Sequence, residues 1–228
     1  MYMIYENIIG GNFISRPNRF IAQVNINGKI ETVHVKNTGR CKELLTDNAK
    51  VFCQHFDSTA RKTAYDLISV YKGDRLINMD SQAPNKVFGE FLSGGNLFED
   101  IEFIKPECKY KNSRFDFYVK TKSKEIFVEV KGVTLEENGV VLFPDAPTER
   151  GVKHINELVQ AKQDGYDAYI AFVVQMEGVK YFTPNRNTHP EFAEALKNAT
   201  AQGVKILCYD CTVTPDTLKI NNKVKVIV

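Results

Sequence analysis

Short runs of alternating apolar and polar residues fill roughly the first 80 positions and predict β-strands. The stretch RFIAQVNINGKIETVHV (19–35) carries Asn27-Gly28 between two alternating runs, which is a strong hairpin signal. Three more strand-like runs follow: KVFCQHF (50–56), KTAYDLISVYKG (62–73) and DRLINM (74–79). Five short strands over about 70 residues predict a small β-barrel.

The rest of the chain alternates helical and strand patterns. Strands are predicted within 101–107, 113–132, 167–175 and 204–210, with a last edge strand at KVKVIV (223–228). Helices are predicted within 85–95, 147–165 and 190–203. The polar, proline-containing stretch DSQAPNK (80–86) separates the two patterns. We therefore predict a barrel domain over 1–84 and, over 85–228, an α/β domain with a mixed sheet flanked by helices.

The helix at 147–165 has the clearest boundaries. Thr148 is a suitable N-cap, Gly165 a suitable end, and Val152, Ile155 and Leu158 form an apolar stripe.

The stretch SRFDFYVKTKSKEIFVEVKG (113–132) reads as two strands joined by a lysine-rich turn. Symmetric pairing about Lys122-Ser123 places Asp116 opposite Glu129, and Lys131 on the same face as Glu129. A register slip of one residue would move Asp116 to the other face. The hairpin therefore predicts two carboxylates and one ammonium group side by side.

Facing carboxylates repel by about 1 kcal/mol at ~4 Å in water and about 4 kcal/mol at an effective dielectric near 20. A sheet gains nothing from that pairing, whereas a divalent cation reverses the sign of the interaction. Oxygen ligands suit Mg²⁺ or Mn²⁺, and Lys131 could orient a water molecule or hold a phosphate oxygen. The alternative is a solvated sheet edge on which Lys131 neutralises Glu129.

Composition restricts the class of protein without choosing among these roles. The 228 residues are 43% hydrophobic, 25% charged and carry a net charge of +2. Residues 1–84 hold 11 Lys/Arg against 8 Asp/Glu, an excess of +3, which allows a basic patch on the barrel. No membrane span or signal peptide is evident, and five cysteines indicate a reducing, cytoplasmic location.

Asp116 with Glu129-Val130-Lys131, in the order α-β-β-β-α-β, resembles the PD-(D/E)XK nucleases. The whole chain resembles the sugar fermentation stimulation protein A (SfsA) family. The stretches that carry this resemblance are RPNRFIAQV (16–24), VHVKNTGRCKELL (33–45), RKTAYDLISV (61–70), SRFDF (113–117), FVEVKGVTL (127–135), FPDAPTERGVKHINEL (143–158) and AFVVQ (171–175).

The resemblance implies an N-terminal OB-fold, a nuclease-like domain and an association with DNA. In one respect the chain departs from it, since the helical turn predicted within 37–45 follows the second predicted strand and an OB-fold carries its helix after the third. Asp116, Glu129 and Lys131 match the catalytic core, with Asp116 and Glu129 as metal ligands. Glu90 matches the acidic residue that often completes such sites, and Gln175 is similar to a glutamine found near the metal.

Two further groups of residues are candidates for contact with nucleic acid. Asp145, Arg150 and His154 lie before or within the helix at 147–165, and with Gln175 they are candidates to contact phosphate or support the site. Basic residues of the barrel are candidates to bind the DNA backbone with little sequence preference. They are Arg16, Arg19, Lys36, Arg40, Arg61 and Lys62.

Two functions stay open at the level of sequence. The first is a Mg²⁺- or Mn²⁺-dependent DNA nuclease that acts on single- or double-stranded DNA. The second is a DNA-binding regulatory protein without turnover, linked to sugar (maltose) metabolism.

Overall fold

The N-terminal part of the chain folds into a closed β-barrel. The computed structural model describes residues 3–37, 39–58 and 60–228. A short first strand, β1 (Met3–Ile4), lies outside the barrel. The barrel strands are β2 (Ile8–Asn18), β3 (Ile21–Ile26), β4 (Lys29–Val35), β5 (Lys50–His55) and β6 (Tyr65–Lys72). Parallel pairing of β4 with β6 closes the barrel, and β7 (Arg75–Asn78) pairs with β6 alone among the described strands.

The strand composition of the barrel corrects the sequence analysis. Strand β2 was not predicted, because Gly10, Gly11 and Pro17 break its apolar pattern. Strand β7 was counted as a barrel strand, although it does not take part in the closure. With β2 counted first, the turn at 41–45 follows the third barrel strand, so the apparent departure from the OB-fold disappears.

The hairpin between β3 and β4 forms as predicted. Asn27 and Gly28 have φ values of 52° and 83°, the left-handed conformations that a tight two-residue turn requires. Ala22, Val24 and Val33 are buried at alternate positions and point into the barrel core.

The second part of the chain is built on a seven-stranded mixed sheet with the order β1-β16-β15-β13-β10-β9-β8. Its strands beyond β1 are β8 (Ile101–Tyr110), β9 (Ser113–Thr121), β10 (Glu125–Val133), β13 (Asp167–Val174), β15 (Lys205–Val213) and β16 (Thr217–Lys223). Strands β10, β13 and β15 run parallel, and the described residues of β13 are almost all buried, as expected of a central strand. The first strand of the chain thus pairs with the last strand of the second sheet.

The described residues of this part form three helices: α1 (Ala83–Ser93), α2 (Glu149–Gln163) and α3 (Pro190–Ala201). Helix α3 packs against α2 and β14. Helix α1 packs against β10 and β16, and α2 packs against β9, β10, β13 and α3. Thr148 caps α2 as predicted, since its side chain accepts a hydrogen bond from Gly151 N. Among the helices of the described residues, none combines the length and apolar content needed to cross a lipid bilayer.

Smaller elements differ from the sequence expectations. Strands β11 (Leu135–Glu137), β12 (Val140–Phe143) and β14 (Tyr181–Pro184) form a three-stranded sheet that was not predicted. The last strand is β16, and the predicted edge strand at 223–228 contributes one isolated bridge, between Val226 and Phe182. The segment TLKINNK of β16 was overlooked because its exposed face carries polar residues.

A buried polar network joins the barrel to the larger sheet. The Gln175 side chain, just after β13, donates hydrogen bonds to Asn78 Oδ1 and to the Asp80 carbonyl, both at 2.9 Å. Lys36 Nζ lies 3.3 Å from Asp66 Oδ2 and 3.1 Å from Asp80 Oδ2. Both aspartates are almost completely buried. The hydrogen bonds of Gln175 therefore fix the barrel against the sheet, and Lys36 joins β6 to the segment that follows β7.

Candidate active site

The hairpin of β9 and β10 pairs in the predicted register. Ile126 lies opposite Val119 and Val128 opposite Phe117, and the same register continued by one residue sets Glu129 against Asp116. Asp116 Oδ2 accepts a hydrogen bond from Val130 N at 2.7 Å, across the hairpin. The carboxylate of Asp116 is therefore fixed beside β10, next to Glu129.

A residue of α1 holds the other oxygen of Asp116. Asn85 Nδ2 donates to Asp116 Oδ1 at 2.7 Å. Both carboxylate oxygens therefore accept one hydrogen bond each, which leaves further lone pairs for another ligand.

Glu129 is 2% exposed and has two unlike oxygens. Its Oε1 accepts from Lys131 Nζ at 2.6 Å and also contacts His154 Nδ1. Its Oε2 is buried and has no hydrogen-bond partner among the described residues. Because an unsatisfied buried oxygen is costly, this atom could accept a water molecule or coordinate a ligand from outside the chain.

The two carboxyl groups have opposite pKa shifts. Burial, followed by the charge of Glu129, raises the pKa of Asp116 to about 6. Burial also acts to raise the pKa of Glu129, but the hydrogen bond from His154 and the charge and hydrogen bond of Lys131 together outweigh it and lower that pKa below its ordinary value. The environment therefore favours the ionised form of Glu129, whereas Asp116 loses its proton only near pH 6.

Helix α2 brings two side chains to the carboxylates. His154 is 7% exposed and reaches Glu129, and Arg150 Nε lies 3.3 Å from His154 Nε2. These residues, the carboxylates and Lys131 line one cleft of about 530 Å³. Neither Arg150 nor His154 belongs to the apolar stripe predicted for this helix. His154 is nevertheless buried against the sheet.

The donor set of the cleft fits a hard divalent cation. Of the carboxylates that line it, Asp116 and Glu129 lie side by side, and Glu129 has an unpartnered oxygen. Mg²⁺ commonly takes one or two carboxylates together with waters and substrate phosphate oxygens. Among the described residues there is no cluster of three or more His, Cys, Asp or Glu side chains arranged to enclose a metal. A cation here would thus depend on Asp116 and Glu129 and keep positions open for oxygen atoms from outside the chain.

Three predicted site residues lie elsewhere. Glu90, on α1, lines a different cavity beside Lys219 of β16, so the expectation that it completes the carboxylate group is corrected. The position on α1 that does reach Asp116 is Asn85, near the start of the helix. Gln175 and Asp145 line a separate cavity of about 120 Å³ at the junction with the barrel, where Gln175 serves the polar network described above.

The six basic residues of the barrel that were predicted to bind DNA divide into two groups. Arg16 donates from its guanidinium to the carbonyls of Arg19, Asn37, Gly39 and Arg40, at 2.6–2.9 Å. Lys36 is bound between two buried aspartates, and Arg61 pairs with Asp66 and covers the ring of Phe56.

The other three basic residues are exposed, and within the described part of the chain they form no ion pair: Arg19, Arg40 and Lys62. The side chains of the first group hold the barrel together, so only the second group is fully available to an outside partner.

Several residues of the cleft were not predicted from the sequence, among them Asn85, Glu107 and Arg114. Arg114 precedes Asp116 by two positions, so alternation along β9 was a signal that could have found it. No such signal existed for Asn85, because its contact depends on how α1 packs on the hairpin.

A closed five-stranded barrel joined to a helix-flanked mixed sheet with an acidic hairpin defines a two-domain protein, an OB-fold followed by an α/β domain. The chain belongs to the SfsA family. Residues 14–79 match the SfsA N-terminal OB domain, and residues 82–217 match the sugar fermentation stimulation protein RE domain. The family predicted from the residues is thereby confirmed.

Individual relatives cover nearly the whole chain. The sugar fermentation stimulation protein homolog of Clostridium beijerinckii is 60% identical over 99% of this chain and 100% of its own length. The homolog of Ruminiclostridium cellulolyticum is 59% identical over 98% of this chain and 99% of its own length. The solved structure of Pyrococcus furiosus SfsA in complex with Ca²⁺ matches with a TM-score of 0.90 at 29% identity, over 99% of this chain and 98% of that chain.

Proposed function

We propose that this protein is a divalent-cation-dependent nuclease that hydrolyses phosphodiester bonds of DNA in the cleft between the β9–β10 hairpin and α2. The observation that carries the proposal is the buried, unpartnered Oε2 of Glu129 next to the carboxylate of Asp116, in a cleft that also contains Lys131. A sheet that only needed stability would not keep like charges together there.

Asp116 and Glu129 would hold the cation, with Mg²⁺ or Mn²⁺ as the expected ion. When bound, such a cation activates water and offsets the charge that builds on the reacting phosphate. The Pyrococcus furiosus relative was solved in complex with Ca²⁺, an ion that also prefers oxygen ligands, and this supports a cation site in the family.

The residues of the chain itself have separate tasks. The contacts of Asp116 with Val130 N and Asn85 fix its carboxylate before any ligand arrives. Lys131 would hold a phosphate oxygen or orient the attacking water, since its ammonium group is a compact charge with three donors.

The barrel would bind the backbone of the DNA. Arg19, Arg40 and Lys62 are exposed, and phosphate contacts by such residues give binding that tolerates different sequences and weakens with salt. We expect no reading of base identity by these side chains.

The test is cleavage of supercoiled plasmid and of single-stranded DNA with Mg²⁺ or Mn²⁺. Asp116→Asn and Glu129→Gln should each lower the rate by about 100-fold or more. Glu125→Gln, an exposed position on the same strand, is the matched control and should cleave like the unmodified protein. Cleavage that survives both site substitutions would come from a contaminant and would overturn the proposal.

A DNA-binding role without turnover is the second candidate. The observation in its favour is that Lys131 and His154 both contact Oε1 of Glu129, so part of the negative charge is already compensated within the chain. Tight, salt-sensitive DNA binding with no cleavage under any divalent cation would select this candidate.

A further inference from the structure

Arg150 and His154 form a chain of contacts that leads from the cleft to Glu129. Arg150 Nε donates to His154 Nε2 at 3.3 Å, and His154 Nδ1 contacts Glu129 Oε1. The helix α2 supplies both residues four positions apart, so they lie on one face of it.

The hydrogen bond from Arg150 determines the tautomer of the His154 imidazole. An arginine N–H can only donate, so His154 Nε2 must be the acceptor and the ring proton must be on Nδ1. That proton is then donated to Glu129 Oε1. Both ring nitrogens therefore form a hydrogen bond, Nε2 as an acceptor and Nδ1 as a donor.

The same oxygen of Glu129 accepts from Lys131. Two donors from different elements thus converge on Oε1, and the carboxylate is turned so that Oε2 is left without a partner. A carboxylate held by only one donor could rotate and exchange its two oxygens. The arrangement selects which oxygen stays available.

We infer that His154 is a positioning residue that reserves Oε2 of Glu129 for a divalent cation, and that the same imidazole orients Arg150 to bind a phosphate of the substrate. This inference rests on the proposed function. Groups that orient a ligating carboxylate commonly change metal affinity by about 10- to 100-fold when they are lost.

Arg150 completes the second half of the inference. It lines the cleft and is exposed, and beyond Nε its guanidinium has four more N–H donors, for which no hydrogen bond is present among the described residues. A planar guanidinium matches two oxygens of a phosphate, and fixing Nε determines the plane in which the other donors point. His154 therefore links the site for the cation to the site for the phosphate.

Two substitutions of His154 separate the two contacts. The amide nitrogen of asparagine occupies approximately the place of Nδ1, so His154→Asn keeps the donor to Glu129 and loses the acceptor for Arg150. Glutamine reaches approximately the place of Nε2, so His154→Gln keeps the acceptor for Arg150 and loses the donor to Glu129. A residue needed only for stability would respond alike to both changes.

The first measurement is the affinity for Mn²⁺ in the absence of DNA, by titration of free Mn²⁺ with electron paramagnetic resonance. His154→Gln should weaken Mn²⁺ binding by about 10-fold or more, whereas His154→Asn should stay within about 3-fold of the unmodified protein. Arg150→Ala should leave Mn²⁺ binding unchanged, as should Lys153→Ala on the exposed face of the same helix.

The second measurement is the affinity for a short single-stranded oligonucleotide in the presence of a chelator. Arg150→Ala and His154→Asn should each weaken it by about 10-fold, while His154→Gln and Lys153→Ala should change it by less than about 2-fold. The two substitutions of His154 thus have opposite effects in the two measurements. Circular dichroism checks that each variant is folded, and if the buried position tolerates neither change, the exposed Arg150→Ala still decides the second half.

The outcomes separate this inference from the proposed function. If the unmodified protein does not bind Mn²⁺, or if Glu129→Gln binds it equally well, the cation site itself is wrong. If Glu129→Gln abolishes binding but His154→Asn and His154→Gln behave alike, the cation site stands and the positioning role of His154 is overturned. If Arg150→Ala binds the oligonucleotide like the unmodified protein, the phosphate role of Arg150 is overturned.

Discussion

Asp116 accepts a hydrogen bond from the main-chain N–H of Val130 at 2.7 Å, although 14 residues separate them in sequence. This contact ties a charged side chain of β9 to the backbone of β10 at the place where Glu129 is also buried. The hairpin therefore places its two acids side by side, at a cost that the raised pKa of Asp116 reports.

Removing the charge of Asp116 should stabilise the fold in slightly alkaline solution. Its pKa rises from 3.8 to about 6 on folding, so the folded state binds more protons between these values and loses stability as the pH rises through that window. We expect Asp116→Asn to raise the free energy of unfolding by about 2 kcal/mol at pH 8 and to have little effect near pH 4. Urea denaturation with a chelator present measures both.

The control for this prediction is Glu125→Gln, which removes an exposed carboxylate from the neighbouring strand and should change stability by less than about 0.5 kcal/mol at either pH. A stabilisation by Asp116→Asn that is equal at pH 4 and pH 8 would show that the effect does not come from ionisation.

Cation binding should depend on pH in the range where Asp116 titrates. Protons compete with the cation for its carboxylate, so the affinity for Mn²⁺ should rise by about 10-fold per pH unit up to about pH 6 and level off above it. Glu129 should contribute little to this slope, because its pKa lies below its ordinary value. Titration calorimetry at several pH values gives the slope, and an affinity that stays constant from pH 5 to 8 would contradict the prediction.

Lys36 should matter for stability rather than for DNA contact. Its ammonium group lies between the buried carboxylates of Asp66 and Asp80. Lys36→Met would leave two buried negative charges without this cation, and we expect a loss of about 3 kcal/mol in the free energy of unfolding. Urea denaturation measures it.

Lys62 provides the matched control, because it is an exposed lysine of the same barrel. Lys62→Met should change stability by less than about 0.5 kcal/mol. Equal stabilities of the two variants would mean that the contacts of Lys36 with Asp66 and Asp80 do not stabilise the fold.

Substitution of Arg40 should change DNA binding, whereas substitution of the nearby Arg16 should lower stability. Arg40→Ala removes an exposed charge and should leave stability unchanged. The slope of the logarithm of the DNA-binding constant against the logarithm of the salt concentration should become less steep, by about 0.9 per lost phosphate contact on a duplex or about 0.7 on a single strand. Arg16→Ala should instead cost about 3 kcal/mol in stability, because its guanidinium binds four carbonyls.

Binding isotherms at several salt concentrations, together with denaturation curves, distinguish these two outcomes. A salt dependence that Arg40→Ala leaves unchanged would remove Arg40 from the DNA-binding surface.

Local signals were sufficient to predict the hairpin of the site. Alternation fixed the faces of β9 and β10, the lysine-rich turn fixed the register, and the cap at Thr148 fixed the start of α2. Each of these depends on residues that are near in sequence, which is why the pattern alone was informative.

Contacts between distant elements could not be predicted in the same way. His154 is not part of the predicted apolar stripe of α2, and its burial against Glu129 follows from how the helix packs on the sheet. Arg16 and Lys36 appeared as free positive charges, because their carbonyl and carboxylate partners come from separate segments of the chain. Strand β2 was missed for a different reason, since glycine and proline concealed its alternation.

Because β1 pairs with β16, the chain segments before and after the OB-fold both belong to the domain of the larger sheet. Two connections therefore join the OB-fold to that domain, one before β2 and one between β7 and α1. A module attached by one linker could swing, but one attached twice turns only if both linkers bend together. If the proposed function is right, the distance between the DNA-binding surface of the barrel and the cleft where cleavage occurs would be constant. Cleavage would then fall at a fixed number of nucleotides from the DNA segment that the barrel covers.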